Sequence, residues 1–114
     1  MHELSIAMSM IEMATDELKK NDGIRVEALY LKLGGLSGVV KDALLFSWEI
    51  ACQDTPLAGS RLEIEEIPVV VFCANCRENK TLSSINNFFC PVCRAPASQI
   101  LQGKELEVTA LEIV

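Results

Sequence analysis

Apolar residues recur at helical spacing near the start of the chain. Leu4, Ala7, Met8, Ile11, Ala14 and Leu18 fall on one face, predicting a helix from Leu4 to Lys20. Lys19 and Lys20 stand where cations complement a helix dipole, and Asn21-Asp22-Gly23 supplies a stop. From Val26 to Leu33 both parities are apolar except Glu27 and Lys32, the pattern of a strand covered on two faces. Gly34-Gly35 and Gly38 end it, and helical spacing returns from Lys41 to Cys52 through Leu44, Trp48 and Ala51. Thr55-Pro56 and Gly59 mark a loop. Arg61 to Ile67 alternates, with Leu62 and Ile64 opposed to Glu63 and Glu65, and Pro68 places this strand at a sheet edge. Glu105 to Val114 alternates again, with Leu106, Val108 and Ala110 on one side. The order is that of an α+β fold: a three-stranded sheet with two helices, interrupted by a segment of other character.

That segment holds most of the cysteine. Four of 5 cysteines form two Cys-x-x-Cys pairs, Cys73/Cys76 and Cys90/Cys93, separated by residues 77 to 89. Each pair makes a tight turn that aims two thiolates at one point, and two such turns supply the tetrahedron zinc prefers. Four thiolates leave no open position, so the ion is expected to be structural. The stretch 70–98 has too few large apolar residues to fold unaided, and metal binding supplies what is missing. It reads as an inserted four-cysteine zinc-ribbon domain, with 1–69 and 99–114 forming the α+β domain around it. Iron in a rubredoxin-like site is the rival. Such knuckles place glycine after the second cysteine, where this chain has Arg77 and Arg94.

Composition narrows the partners. Hydrophobic content of 50% and charged content of 23% are those of a globular chain of 114 residues. The amino terminus lacks the basic region and apolar core of a signal peptide, and no apolar run approaches bilayer length, so a cytoplasmic protein without a membrane partner is expected. Net charge is -6, and 10 basic residues against 16 acids argue against nucleic acid. Phe88 and Phe89 are expected to pack the ribbon hairpin, Met8, Met10 and Met13 the core, and Cys52 to be a buried small hydrophobe. Glu63, Glu65 and Glu66 read as a solvated strand face. No catalytic constellation is visible, so the chain is not expected to be an enzyme.

The one histidine, His2, follows the terminal amine. A histidine there needs no function, yet the α-amine of Met1, the His2 amide and the His2 imidazole can close two adjacent chelate rings around one ion. Glu3 could add a fourth donor through its amide or carboxylate. Planar, nitrogen-rich coordination suits Ni(II) or Cu(II) and suits zinc poorly.

Met-His-Glu-Leu-Ser at the start resembles the hydrogenase nickel-incorporation proteins of the HypA/HybF family. So do Gly35-Leu36-Ser37-Gly38-Val39, Asp42-Ala43-Leu44, Ile64-Glu65 and Gly103-Lys104-Glu105-Leu106, and the cysteine pairs fall where that family places its zinc ligands. The resemblance implies a nickel metallochaperone. Ni(II) would bind at His2 with Met1 and Glu3 contributing, and Zn(II) at Cys73, Cys76, Cys90 and Cys93. It also implies delivery to the [NiFe] hydrogenase large subunit with a nickel-handling GTPase accessory protein, and in some organisms work with urease accessory proteins. A zinc-ribbon adaptor with no second metal is the alternative that the residues themselves leave open.

Overall fold

The structure, a computed structural model, describes residues 2–82 and 87–114, His2 by its backbone only. Along the chain run α1 (His2–Lys20), β1 (Val26–Gly34), α2 (Lys41–Cys52), β2 (Arg61–Ile67), β3 (Val70–Cys73), β4 (Glu78–Thr81), β5 (Gln99–Gln102) and β6 (Leu106–Ile113). They form two three-stranded sheets, β2-β1-β6 and β4-β3-β5. The chain divides into two compact units. The first comprises the chain up to Lys32, Val39–Glu65 and Glu107–Val114; the second comprises Leu33–Gly38 and Glu66–Leu106. The second unit thus takes in more chain than the stretch 70–98.

The first unit has one apolar core. Ala7, Met10, Ile11, Ala14 and Leu18 of α1 pack with Val26, Leu29 and Leu31 of β1, Leu44, Trp48 and Cys52 of α2, and Leu62 of β2. Of the three methionines expected in the core, Met10 is buried and Met13 packs at the core margin, but Met8 is 59% exposed, as is Leu4 at 42%. Met8 and Met10 flank the stripe on opposite sides, so tertiary packing decides which is covered. β6 keeps no single inward parity: Val108 reaches the core while Leu106 and Ala110 of the same parity are exposed, and Leu111 and Ile113 reach it from the other parity. Cys52 is buried, and burial pushes its thiol up to about 11.

The stops are specific. Gly23 N–H donates to Leu18 at 3.0 Å and Asp22 N–H to Lys19 at 3.3 Å, the paired bonds of a Schellman motif. Asp22, at φ 50, holds the left-handed position. Gly23 is needed for another reason: a Cβ there would lie 2.7 Å from Leu18 Cδ1 and closer still to Ile113 Cγ2. After α2, fully buried Leu57 anchors the loop, and Trp48 Nε1 donates to the Ser60 carbonyl at 3.0 Å.

In the second unit β3 pairs antiparallel with β4 (Val70↔Thr81 to Cys73↔Glu78) and with β5 (Val71↔Ile100, Phe72↔Gln99). Its base is a backbone clasp. Gly34 N–H donates to Glu105 at 2.8 Å, Gly35 N–H to Ile67 at 3.1 Å, and Leu36 N–H to Gly103 at 2.6 Å. A Cβ on Gly34 would collide with the Gly103 carbonyl, and one on Gly103 would sit 2.9 Å from Val69 Cα.

Candidate metal centre

Two turns build the cysteine cluster. Cys73 ends β3, and Cys76 follows one turn later with its N–H 3.4 Å from Cys73 Sγ. In the second turn Val92 N–H lies 3.4 Å from Cys90 Sγ, and Cys90 N–H donates to the Ala95 carbonyl at 2.7 Å. Arg77 (φ 56) and Arg94 (φ 66) take the left-handed backbone expected of glycine in such knuckles. The missing glycines therefore do not distinguish zinc from iron.

The four ligand atoms lie within 4.8 Å of one another, with Cys73 and Cys90 buried and Cys76 and Cys93 half-buried. Cys73 Sγ is 3.5 Å from Cys93 Sγ, and Cys76 Sγ is 3.9 Å from Cys90 Sγ. A tetrahedral zinc tetrathiolate, with Zn–S of about 2.3 Å, requires sulfur–sulfur edges of about 3.8 Å. The cluster fits that ion.

The thiol electrostatics point the same way. A backbone hydrogen bond at Ala95, aided by the Asn75 side chain, holds the Cys93 thiol down at about 6. Hydrogen bonding to Cys93 and burial push Cys76 up to about 12. Cys90 is lowered, chiefly by a backbone hydrogen bond at Cys93. Crowded sulfurs resist ionising together, and a divalent cation lifts that conflict by displacing the remaining protons. Backbone donors have no signature in sequence, so their part in this site was not legible there.

At the other end of the chain, the Met1 ligand and the His2 imidazole expected from the sequence lie outside the described residues. Glu3 lies in the first turn of α1, and its carboxylate accepts a hydrogen bond from Val40 N–H at 3.2 Å. Val40 is the N-cap of α2 and has no side-chain cap of its own. Among the described residues, the grouping with metal-ligand geometry is the cysteine cluster.

A family model described as "Hydrogenase/urease nickel incorporation, metallochaperone, hypA" matches residues 1–113. The chain belongs to the HypA family. It is 50% identical over 112 residues to the hydrogenase maturation factor HypA of Chloroflexus aurantiacus, covering 98% of each chain. HypA of Chloroflexus aggregans is 47% identical over 112 residues, again covering 98% of each. The solution structure of the nickel metallochaperone HypA from Helicobacter pylori is similar in fold, with TM-score 0.64 and 22% identity over 98% of this chain and 97% of that one. A second HypA solution structure gives TM-score 0.69 at 23% identity, covering 100% of this chain and 97% of that one. As a HypA protein the chain is a nickel metallochaperone of hydrogenase maturation, and not an enzyme. No described helix is long and apolar enough to cross a membrane.

Proposed function

We propose that this HypA chain carries one Ni(II) at its amino terminus, held by the Met1 amine, His2 and Glu3, and keeps a structural Zn(II) on Cys73, Cys76, Cys90 and Cys93. In this reading 1–69 and 99–114 form the nickel-binding domain and 70–98 the zinc-binding domain. The observation that carries it is the start of α1 at His2, two residues earlier than the periodicity predicts. The first amides of a helix have no intrahelical acceptor. The His2 and Glu3 nitrogens can therefore lose their protons to a nickel chelate without breaking a helical hydrogen bond. Engagement of the Glu3 carboxylate with Val40 N–H favours the Glu3 amide as the donor.

A terminal chelate suits a carrier, which must select its ion and then surrender it. The ion passes to the [NiFe] hydrogenase large subunit with the help of a nickel-handling GTPase, and urease accessory proteins are further candidate partners. The zinc site, closed by its four sulfurs, takes no part in the transfer chemistry and holds the ribbon's shape.

The decisive experiment is calorimetric titration of Ni(II) into zinc-loaded chain with a native amino terminus, beside His2→Ala and Glu3→Gln variants. One nickel at micromolar or better affinity, lost in His2→Ala and kept in Glu3→Gln, is the expected result. Equal binding by wild type and His2→Ala removes the nickel site. Iron in the purified protein, with visible absorption, removes the zinc assignment.

A further inference from the structure

The two helices of the first unit pack against one another and run the same way. Their amino ends are pinned together where the Glu3 carboxylate accepts from Val40 N–H at 3.2 Å. Ser60, just before β2, donates to the Val26 carbonyl at the start of β1, and Gly35 N–H reaches Ile67 at the end of β2. β1 and β2 are therefore parallel, and the crossover rule puts α2 over that pair. β6 lies on the other side of β1, where Glu17 of α1 lines a groove with Val108, Thr109 and Ala110. At about 100° per residue, Leu4 and Met8 stand roughly 140° and 180° round α1 from Glu17, on the flank turned to α2.

Parallel helices on one sheet turn opposite flanks to each other. On α2 that flank is Ala43, Ser47 and Ala51, a row of small, half-buried residues that lets α1 approach closely. Phe46 and Ile50, three residues after Ala43 and Ser47, form the next row out, and they are 64% and 48% exposed. Leu4 and Met8, three residues before Ala7 and Ile11, form the matching row on α1. Measured from the Glu3–Val40 contact, Met8 is five residues along and Phe46 six, level to about 1.5 Å. The two rows thus face each other across the outer seam of the helix pair.

The charges beside the seam have one sign. Glu12 follows Met8 by four residues, Asp42 precedes Phe46 by four, Glu49 follows Phe46 by three, and Asp16 continues the row of Glu12. Among the described residues these four exposed carboxylates make no ion pair. The helices carry three lysines. Lys41 is half-buried on the core-side row of Leu44 and Trp48. Lys19 and Lys20 lie at the far end of α1, about 16 Å or more beyond Met8 and past the roughly 8 Å Debye length, and Lys20 pairs with Glu17.

We infer that this seam is a docking groove for an amphipathic helix of a partner protein, apolar on one face and basic on its flanks. Leu4, Met8, Phe46 and Ile50 take the apolar face, and the carboxylates beside them take the lysines or arginines. A second copy of this chain does not suit the groove, since it would set one acidic rim against another. Leu4 is two residues from His2, so the docked partner stands beside the ion; that proximity rests on the terminal nickel reading, whereas the docking does not.

The test uses the full zinc-loaded chain and the labelled peptide Lys-Leu-Leu-Lys-Lys-Leu-Phe-Lys-Lys-Leu-Leu-Lys, followed by fluorescence anisotropy. One control peptide has glutamine at every apolar position, and another has glutamate at every lysine. The amphipathic basic peptide is expected to bind and to weaken with added salt. Binding should fall about tenfold in Met8→Gln/Phe46→Gln and about threefold in Glu12→Gln/Glu49→Gln. All four side chains are exposed, so both variants should keep the wild-type melting temperature. Equal binding by either variant overturns the proposal, as does no binding, or equal binding of either control peptide. A free chain that sediments as a dimer, and as a monomer once Met8 and Phe46 are replaced, also overturns it, because a second copy then covers the groove. Nickel titration of Met8→Gln/Phe46→Gln should match wild type, and His2→Ala should bind the peptide normally, so the groove and the nickel site fail separately.

Discussion

Asp22 and Gly23 reverse the roles that their residue types suggest. A stop written Asn-Asp-Gly leads one to assign the left-handed position to glycine, yet Asp22 takes it and Gly23 makes room for Ile113 and Leu18. Asp22→Gly should therefore raise stability slightly, by about 0.5 kcal/mol, since relief of strain outweighs the extra freedom of the unfolded chain. Gly23→Ala should cost about 1–3 kcal/mol by overpacking, although alanine is the better helix former. Urea midpoints of the two variants check both signs, and a stable Gly23→Ala would mean the Ile113 contact is not tight. The same type of error affects Arg77 and Arg94, where the sequence shows the wrong residue type for a backbone that nonetheless forms. Residue type carries only a preference for a φ value; the surrounding hydrogen bonds and sulfurs settle it. The cysteine spacing was legible because it depends on a chelate geometry and not on propensity. The proposed nickel ligands were legible as chemistry only, from the single histidine beside a terminal amine.

Element boundaries were mostly legible. Lys41 to Cys52 and Arg61 to Ile67 coincide with α2 and β2, because periodicity and glycine or proline punctuation agree there. Faces were less so. A helix of 19 residues with apolar side chains on both flanks of its stripe can roll by one position, and α1 settles with Met10 inward and Met8 outward. Met10→Ala should cost about 2–4 kcal/mol and Met8→Ala under about 0.5 kcal/mol. Thermal melts of the pair measure this, and similar losses in both would place Met8 in an interface that the folded chain does not show. The short strands β3, β4 and β5 have four residues each, too few for an alternation to stand out. Phe88 and Phe89, both exposed, misled for a simpler reason: aromatic residues in a small ribbon read as its core, whereas here buried Cys73 and Cys90 take that place.

At the scale of the whole molecule, the two compact units rest on different kinds of stabilisation. The first has a core of two helices and a sheet; the second has four cysteines and few buried large side chains. Removing zinc with a strong chelator should therefore abolish the ribbon's structure and leave the helices folded. Circular dichroism at helical wavelengths should hardly change, while amide exchange in β3, β4 and β5 should quicken by orders of magnitude. Simultaneous loss of both signals would show that the α+β unit depends on the metal. The sequence placed the insert at 70–98, and it carried no sign of the packing that groups Leu33–Gly38 and Gln99–Gln102 with the cysteine unit. Their assignment depends on backbone pairing between segments distant in the chain, which composition does not record.

The clasp of Gly34, Gly103 and Val69 has a consequence for how such a chain can be built. Because Gly103 lies against Val69, the outgoing and returning strands of the ribbon meet at one point. A segment whose two ends touch can be lifted out and replaced by a tight two-residue turn, and its host closes no longer loop than before. The ribbon is in this respect a cassette. It can be exchanged for another module, or grafted onto another hairpin, while the helix that begins at His2 keeps its sequence unchanged.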